Sequence, residues 1–318
     1  MAQADVRNDL ETMVETHRKR EVVRRRGPQL SWQIYLLLLP TILYLLIWTI
    51  WPLVYAVGVS LFRYNLMRPD LIKFVWLANY ARAFNSSVFK GSLEVSATFT
   101  VAAVSSQFLL AFFLALVLDR TMRGIGLLRT LFIIPVFLSP TVVGLLWRNM
   151  YFADRGVVDY LFTRVGLPAV HWVGQASTSM AGVLIMDAWE WTPFVALVLL
   201  AGIQSVPPDI REAAELDGLN TFQYAWRILL PTLRPVILVV LLIRTIDTFK
   251  TFDSIWNLTR GGPGNSTYML SIFATQTGLT GGEIGLATAM AVLMAVVSNI
   301  VGLVLVLYLG RREFSSNS

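Results

Sequence analysis

Two runs of otherwise apolar sequence hold six ionisable side chains between them, and chemistry or recognition has to be sought there first: Asp187 and Glu190 in one run, Arg244, Asp247, Lys250 and Asp253 in the other. A charge in hydrocarbon is costly, so such groups face protein or a water-filled path, where they pair with one another or meet a solute. The second set alternates in sign at three-residue intervals, which lets neighbours pair along a helix. Because three residues fall short of a full turn, the ladder winds around the helix and not all four side chains can line one pore. At about 1.5 Å per residue, Asp187 is expected at the depth of Lys250 and Glu190 at that of Asp247, which permits ion pairs between the two helices. Trp189, Trp191, Trp256, Asn149 and Asn257 add the aromatic faces and amides that hold the CH surfaces and hydroxyls of a polyhydroxylated solute. Trp256, at the end of its run, equally suits an interfacial anchor.

The elements that must position these residues are set by the solvent. Of 318 residues, 55% are hydrophobic and 14% charged, and mean hydropathy is +0.61, far more apolar than a water-soluble domain. Six segments have the roughly 20 apolar residues needed to cross a hydrocarbon core as helices. They lie near Trp32–Ser60, Leu93–Leu118, Thr130–Met150, Met180–Gly202, Pro235–Trp256 and Gly285–Leu309. The first is too long for a cleaved leader, carries Pro40 and Pro52, and lacks a small-residue cleavage site. An all-α integral membrane protein of six spans is expected, with a polar tail over 1–31 and a membrane domain over 32–318.

Lys and Arg give the orientation. The tail holds Arg18, Lys19, Arg20, Arg24, Arg25 and Arg26; the second-to-third connection Arg120, Arg123 and Arg129; the fourth-to-fifth Arg211, Arg227 and Arg234; the C-terminus Arg311 and Arg312. The opposite connections are poorer in basic residues apart from the first, with Arg63, Arg68, Lys73, Arg82 and Lys90. Both termini are therefore expected in the cytoplasm. The net charge of +6 belongs to this pattern of flanking residues, so nucleic acid is not an expected partner. Cysteine is absent and the two histidines, His17 and His171, are far apart, so neither a disulfide nor a metal site is expected. No acid, base and nucleophile cluster at one membrane face, so no catalytic residue is expected either.

Between the fourth and fifth spans, residues 205–231 read as two short helices. Pro207 and Pro208 end the preceding element, Asp209 can cap a helix with Glu212 in the capping-box position, and Gly218 breaks it. Asn220 or Thr221 can cap a second helix, which Pro231 is expected to stop. Ala213, Ala214 and Leu216 give the first helix a small, mildly apolar side, while Arg211, Glu212, Glu215 and Asp217 keep the rest polar.

Glu212-Ala213-Ala214, Gly218 four residues beyond the second alanine, Ile228 and Leu230-Pro231 together resemble the Glu-Ala-Ala motif of ABC importer permeases. The resemblance implies a type I importer permease fold in which this loop is a cytoplasmic coupling helix seated in a groove of a separate ATPase. It implies that Glu212 makes a charge-assisted contact, that Ala213 and Ala214 permit close approach, and that Gly218 supplies the tight turn; Asp217 and Pro231 belong to the same coupling segment. Ala115 to Gly124, Arg129-Thr130, Leu138-Ser139-Pro140 and Leu258 to Gly264 with Thr267 are similar to the sugar permeases of the maltose and glycerol-phosphate type, and more to the first permease of such pairs than the second. From about Ser92 onward the chain keeps to that pattern; it lacks the extra spans and large periplasmic insertion of the maltose member.

The same resemblance implies a heterodimer with a second permease, two ATPase subunits that bind ATP and Mg, an extracytoplasmic binding protein, a sugar or polyol as solute, and a bacterial cytoplasmic (inner) membrane. No cofactor is expected in this chain. Gly261 to Thr267 has no Lys before its Ser or Thr and comes after a span rather than a strand, so it is expected as an outer turn and not a phosphate loop. An ion-coupled secondary transporter is the rival reading, in which Asp187, Glu190 and Asp247 would hold protons or sodium. With Arg244 and Lys250 already partnered within the ladder, a neutral sugar or polyol is favoured over a phosphate-bearing solute.

Overall fold

The computed structural model describes residues 32–120, 124–152 and 155–314, with side chains from Leu36 to Tyr308; the expected tail over 1–31, Arg123 and the side chains of Arg311 and Arg312 lie outside the described residues. The chain divides into two compact units, Met1–Tyr55 and Ala56–Ser318. In the first, an α-helix Trp32–Leu45 passes through a π-helical turn, Leu46–Ile50, into the helix that begins at Trp51. Pro52 has no N–H to offer the Trp48 carbonyl one turn back, and the Trp51 N–H reaches Leu46 instead, so the turn widens where the proline removes a bond. Residues Leu36–Ser60 form 25 residues of apolar helix, long enough to cross a bilayer.

The second unit opens with a two-stranded antiparallel ribbon, Phe62–Arg63 against Lys73–Phe74, and a short helix Ala78–Asn85. Ser86 then caps the 32-residue helix Ser87–Leu118, its hydroxyl accepting from the Phe89 N–H at 3.3 Å. The other long helices are Ala176–Gln204 and Ile284–Phe314. Among the described residues, four helices are long and apolar enough to span, and two bent pairs bring the number to six.

Those two pairs depart from the expected straight spans. The third is a helix Ile125–Phe132 and a 3-10 turn Ile134–Phe137, then a 99° bend into Pro140–Met150. Pro135 and Pro140 lack the N–H that a continuous helix needs, and Ser139 is extended, as a residue before proline prefers. The apolar count of that stretch is blind to direction, which is why it reads as one crossing. The fifth begins at Arg234 after a 74° bend and stops at Lys250; a separate helix, Asp253–Thr259, carries Trp256 and Asn257. Between Lys250 and Asp253 no proline intervenes. The freed backbone groups are met by side chains: the Thr251 hydroxyl donates to the Asp247 carbonyl at 3.0 Å and the Ser271 hydroxyl to the Thr251 carbonyl at 2.6 Å.

The main seam packs Ser87–Leu118 against Ala176–Gln204. Ala103, Ala111 and Ala115 on one side and Ala196 on the other are wholly buried. In lipid there is no hydrophobic drive between helices, and small residues stabilise by letting backbones close up. Glycine does this at two further crossings. A Cβ on Gly202 would stand 2.8 Å from Leu233, and one on Gly144 would overlap the Ser254 carbonyl oxygen and come within 2.9 Å of the Asn257 Cβ. Gly144→Val is therefore expected to cost about 1–3 kcal/mol of overpacking, read as a lowered melting temperature of the detergent-purified protein. An unchanged melt would show that the crossing of Pro140–Met150 with Asp253–Thr259 is looser than described.

Candidate functional site

The loop helix runs Pro208–Leu216, with Pro208 at its first position and Pro207, not Asp209, before it. Asp209 thus sits inside the first turn and the expected capping box with Glu212 does not form. Proline supplies the start itself, since its missing N–H is one that the first turn leaves unbonded anyway. The end agrees with expectation: Gly218 has φ +75°, its N–H bonds to Glu215, and the Leu219 N–H bonds back to Ala214, a Schellman closure. Nothing lies within 4 Å of an added Cβ there, so the backbone angle alone calls for glycine. Asn220 caps the next helix, accepting from the Gln223 N–H at 2.8 Å while the Gln223 side chain accepts from the Asn220 N–H at 3.0 Å. Pro231 does not stop that helix; it lies in Leu230–Thr232, past a π turn Ala225–Leu229, and the bend falls at Leu233.

The two alanines of the motif part company. Ala213 is exposed beside Glu212, whereas Ala214 is buried among Leu118, Tyr224, Ala225 and Leu229. The loop helix is thereby seated on its own protein through Ala214 and offers the Glu212–Ala213 side outward. Arg211 fastens the seat, donating to the Asp119 carboxylate at 3.1 Å and lying 5.8 Å from the Tyr224 ring. Burial pushes the Tyr224 hydroxyl above its ordinary range while Arg211 pulls the other way. Leu216, expected with the two alanines on the apolar side of the helix, stands 90% exposed at its tip.

Within the membrane, Arg244 is buried and surrounded. It donates to the Gln107 side-chain oxygen at 2.9 Å, to Asp247 at 2.8 Å and to Asp187 at 3.2 Å, and its guanidinium lies 4.5 Å over the Trp191 ring. Gln107 in turn donates to Asp187. Asp187 therefore faces Arg244 rather than Lys250, because the long arginine side chain spans a difference in depth that counting helical rise alone misses. The ladder also stops short. Arg244 and Asp247 pair along the helix, but Lys250 and Asp253 are exposed, on either side of the break, and join no ion pair among the described residues.

Glu190 is 1% exposed and its Oε2 has no hydrogen-bond partner among the described residues. Asp187 and Asp247 thus set two carboxylates on one guanidinium, with Glu190 one turn from Asp187 on the same helix. The other candidates belong to a different place. Asn149 is exposed and donates to the Leu145 carbonyl, Asn257 donates to that of Asp253, and Trp256 stacks on Phe252 at 5.9 Å with Arg260 above it. Trp189, 38% exposed, meets Trp147 edge-on at 5.7 Å. Gln107 was not among the expected residues, although a lone amide in the run Ala102 to Val117 is the same kind of signal as a lone charge. The glycine-rich turn is rigidly built: Thr267 is buried, shares a 2.7 Å hydrogen bond with Thr259 and donates to the Gly262 carbonyl.

An apolar helical bundle with a loop helix fastened to the ends of its spans fits the membrane subunit of a transporter. Residues 108–315 match the family described as binding-protein-dependent transport system inner membrane component. A probable ABC transporter permease protein of Sinorhizobium fredii is 36% identical over 85% of this chain and 87% of its own length. The trehalose/maltose transport system permease protein of Thermococcus litoralis is 34% identical over 81% and 87%. Among solved structures, a bacterial ABC transporter involved in the import of the acidic polysaccharide alginate has a TM-score of 0.76 at 25% identity, covering 92% of this chain and 99% of that one. The chain belongs to this family of inner-membrane components, and it is a permease subunit of an ABC importer with the type I fold.

If the Arg244 cluster is a buried ion pair of the usual kind, removing one partner costs about 3–5 kcal/mol because the other charge is stranded. Arg244→Leu is expected to abolish recoverable folded protein, and adding Asp187→Leu to restore part of it, measured by size-exclusion chromatography of the tagged protein in detergent. Equal recovery of wild type and the single variant would mean that the charges are solvated, not paired.

Proposed function

We propose that this permease carries a neutral sugar or polyol, handed over by an extracytoplasmic binding protein, into the cytoplasm, as one half of a heterodimer driven by two ATPase subunits. The observation that carries the reading is the loop helix itself. Glu212 and Ala213 project from a short helix whose other side is locked by Ala214 and Arg211 to the ends of the second, fourth and fifth spans. A push on such a helix is transmitted to the spans instead of being absorbed by the loop. In our reading Glu212 pairs with a cation of the ATPase groove, Ala213 and Leu216 fill it, and Asp217, Gly218 and Pro231 keep the segment in shape.

ATP and Mg bind the partner ATPase, and this chain makes and breaks no covalent bond. Both termini lie in the cytoplasm with the loop, a placement that the arginine distribution supports. Closure of the ATPase pair moves the loop helices, and the path between the two permeases opens alternately to either side. Sugar as solute class is supported by relatives named for trehalose and maltose. A neutral one is supported by Arg244, whose guanidinium is already taken up by Gln107, Asp187 and Asp247 and is not left open for an acidic group. The free Lys250 does not alter this, since it stands outside that cluster. Glu190, buried with an oxygen to spare, is our first solute contact, with Asp247 and Trp191 beside it; Asn149, Trp189, Asp253, Trp256 and Asn257 would serve a second stretch of the path.

Two measurements test the reading. Purification in mild detergent from the native host is expected to bring down an ATPase and a second permease, and Glu212→Lys to lose the ATPase alone. A chain that purifies by itself in both cases, and whose transport survives ATP depletion but not collapse of the ion gradients, would overturn it. In reconstituted importer, Glu190→Gln is expected to lower sugar uptake roughly ten-fold, the scale of one charge-assisted hydrogen bond, at an unchanged amount of assembled complex. Loss of the complex would assign Glu190 a structural role instead.

A further inference from the structure

At the end of the spans remote from the loop helix, the structure holds a polar cavity of about 480 Å³. Arg63, Arg68 and Arg82 line it, with Tyr64, Asn65 and a single carboxylate, Glu283. That carboxylate is already taken by Arg82 at 2.8 Å, and among the described residues none pairs with Arg63 or Arg68. The cavity is built, not improvised: the Leu66 N–H bonds to Gly282 at 2.8 Å, the Gly285 N–H to Tyr64 at 3.0 Å, and the Asn79 amide to the carbonyls of Ser60 and Phe62 at 2.8 Å each. A Cβ on Gly285 would collide with the Phe62 carbonyl, so ribbon and helix are as close as they can be.

The depth of the cavity is set by its borders. Arg63 comes just after Ser60, where one spanning helix ends, and Glu283 just before Ile284, where another begins. Both side chains therefore stand in the headgroup layer, which extends roughly 5–8 Å beyond the hydrocarbon. The ribbon has the two-faced character of an interfacial element. Its register pairs Phe62 with Phe74 and Arg63 with Lys73, so aromatic and basic side chains take opposite faces. Phe74 packs edge-on against Phe62 at 5.2 Å and Trp76 at 4.9 Å, yet all three remain exposed, Trp76 at 71%. Aromatics beside unpaired arginines at a span end fit the boundary between acyl chains and phosphates.

We propose that this cavity is a binding site for the phosphate of an anionic phospholipid in the leaflet opposite the loop helix, held by Arg63 and Arg68, while Phe62, Phe74 and Trp76 on the other face of the ribbon lie among the acyl chains of the surrounding bilayer. Guanidinium matches phosphate in both charge and fork geometry, and the site leaves one cation pair unneutralised for one anionic headgroup. The occupant anchors the ribbon to the bilayer at the mouth of the last span.

The test uses the whole importer complex, purified from vesicles of phosphatidylcholine with phosphatidylglycerol and probed by native mass spectrometry for retained lipid. Wild type is expected to keep phosphatidylglycerol over phosphatidylcholine, and Arg63→Gln with Arg68→Gln to retain roughly thirty-fold less, the share of two basic residues at a charged surface. Arg63→Lys with Arg68→Lys is expected to keep most of it, which separates lost charge from lost folding, and Glu283→Gln to retain more than wild type. Excess inorganic phosphate should not displace the lipid; displacement would make the site one for free phosphate and overturn the lipid assignment. Equal retention of the two lipids, or no change in the glutamine variant, overturns it as well. So does a glutamine variant that keeps its lipid but loses binding-protein-stimulated ATP hydrolysis, which would make the patch a protein contact.

Discussion

A guanidinium in the interior of a membrane domain has to be given partners, and much of this molecule is arranged to do so. Arg244 reaches Gln107 on the second span, Asp187 on the fourth and Asp247 on its own helix, with Trp191 covering its face. Three of the six spans thus meet at one side chain. An ion pair in low dielectric does little for stability when compared with a well-packed apolar replacement, but breaking it strands a charge. The cluster therefore acts chiefly as a constraint: it fixes which rotations of those three helices are compatible with folding, and a transport motion that parts them has to keep the arginine satisfied or move its partners with it.

The backbone obeys the same rule as the side chains. Spans three and five are broken inside an apolar region, which is tolerable only where the freed groups find partners in protein. Thr251 and Ser271 supply them at one break, and prolines at the other remove the donors that would otherwise be orphaned. The two broken segments then meet, Asp253–Thr259 lying on Pro140–Met150 through Gly144 and the Ser254 carbonyl. Irregular backbone is concentrated where Asn149, Trp256 and Asn257 sit, and such places in membrane proteins border cavities instead of lipid.

The loop helix shows how a small residue can act inward as well as outward. Ala213 and Ala214 are adjacent in sequence and about 100° apart on the helix, so only one of them can face a partner squarely. The other closes the gap to Leu118 and Tyr224 and makes the helix a rigid continuation of the membrane domain. The Schellman closure at Gly218 and the Asn220 capping box stiffen the segment locally, and rigidity at this point is what the coupling we propose would need.

Much of this was legible in the amino-acid order, because the bilayer turns composition into architecture. Spans had to be helices of a certain length, Gly218 had to end the loop helix, and Asn220 or Thr221 had to cap the next, since each reflects a local cost. The turn at Gly218 needs only a positive φ, and the cap at Asn220 only an amide at the right place. What local cost could not give was direction and depth: that the third and fifth apolar runs bend, that Asp187 meets Arg244 and leaves Lys250 alone, that Ala214 faces inward, and that Gln107 completes the cluster. These depend on which helices come side by side and on how far a side chain reaches across the gap. The sequence by itself determined which runs of the chain are apolar enough for a membrane; the partner of each buried charge was decided by helix packing, because only contact in space tells a stranded group from a satisfied one.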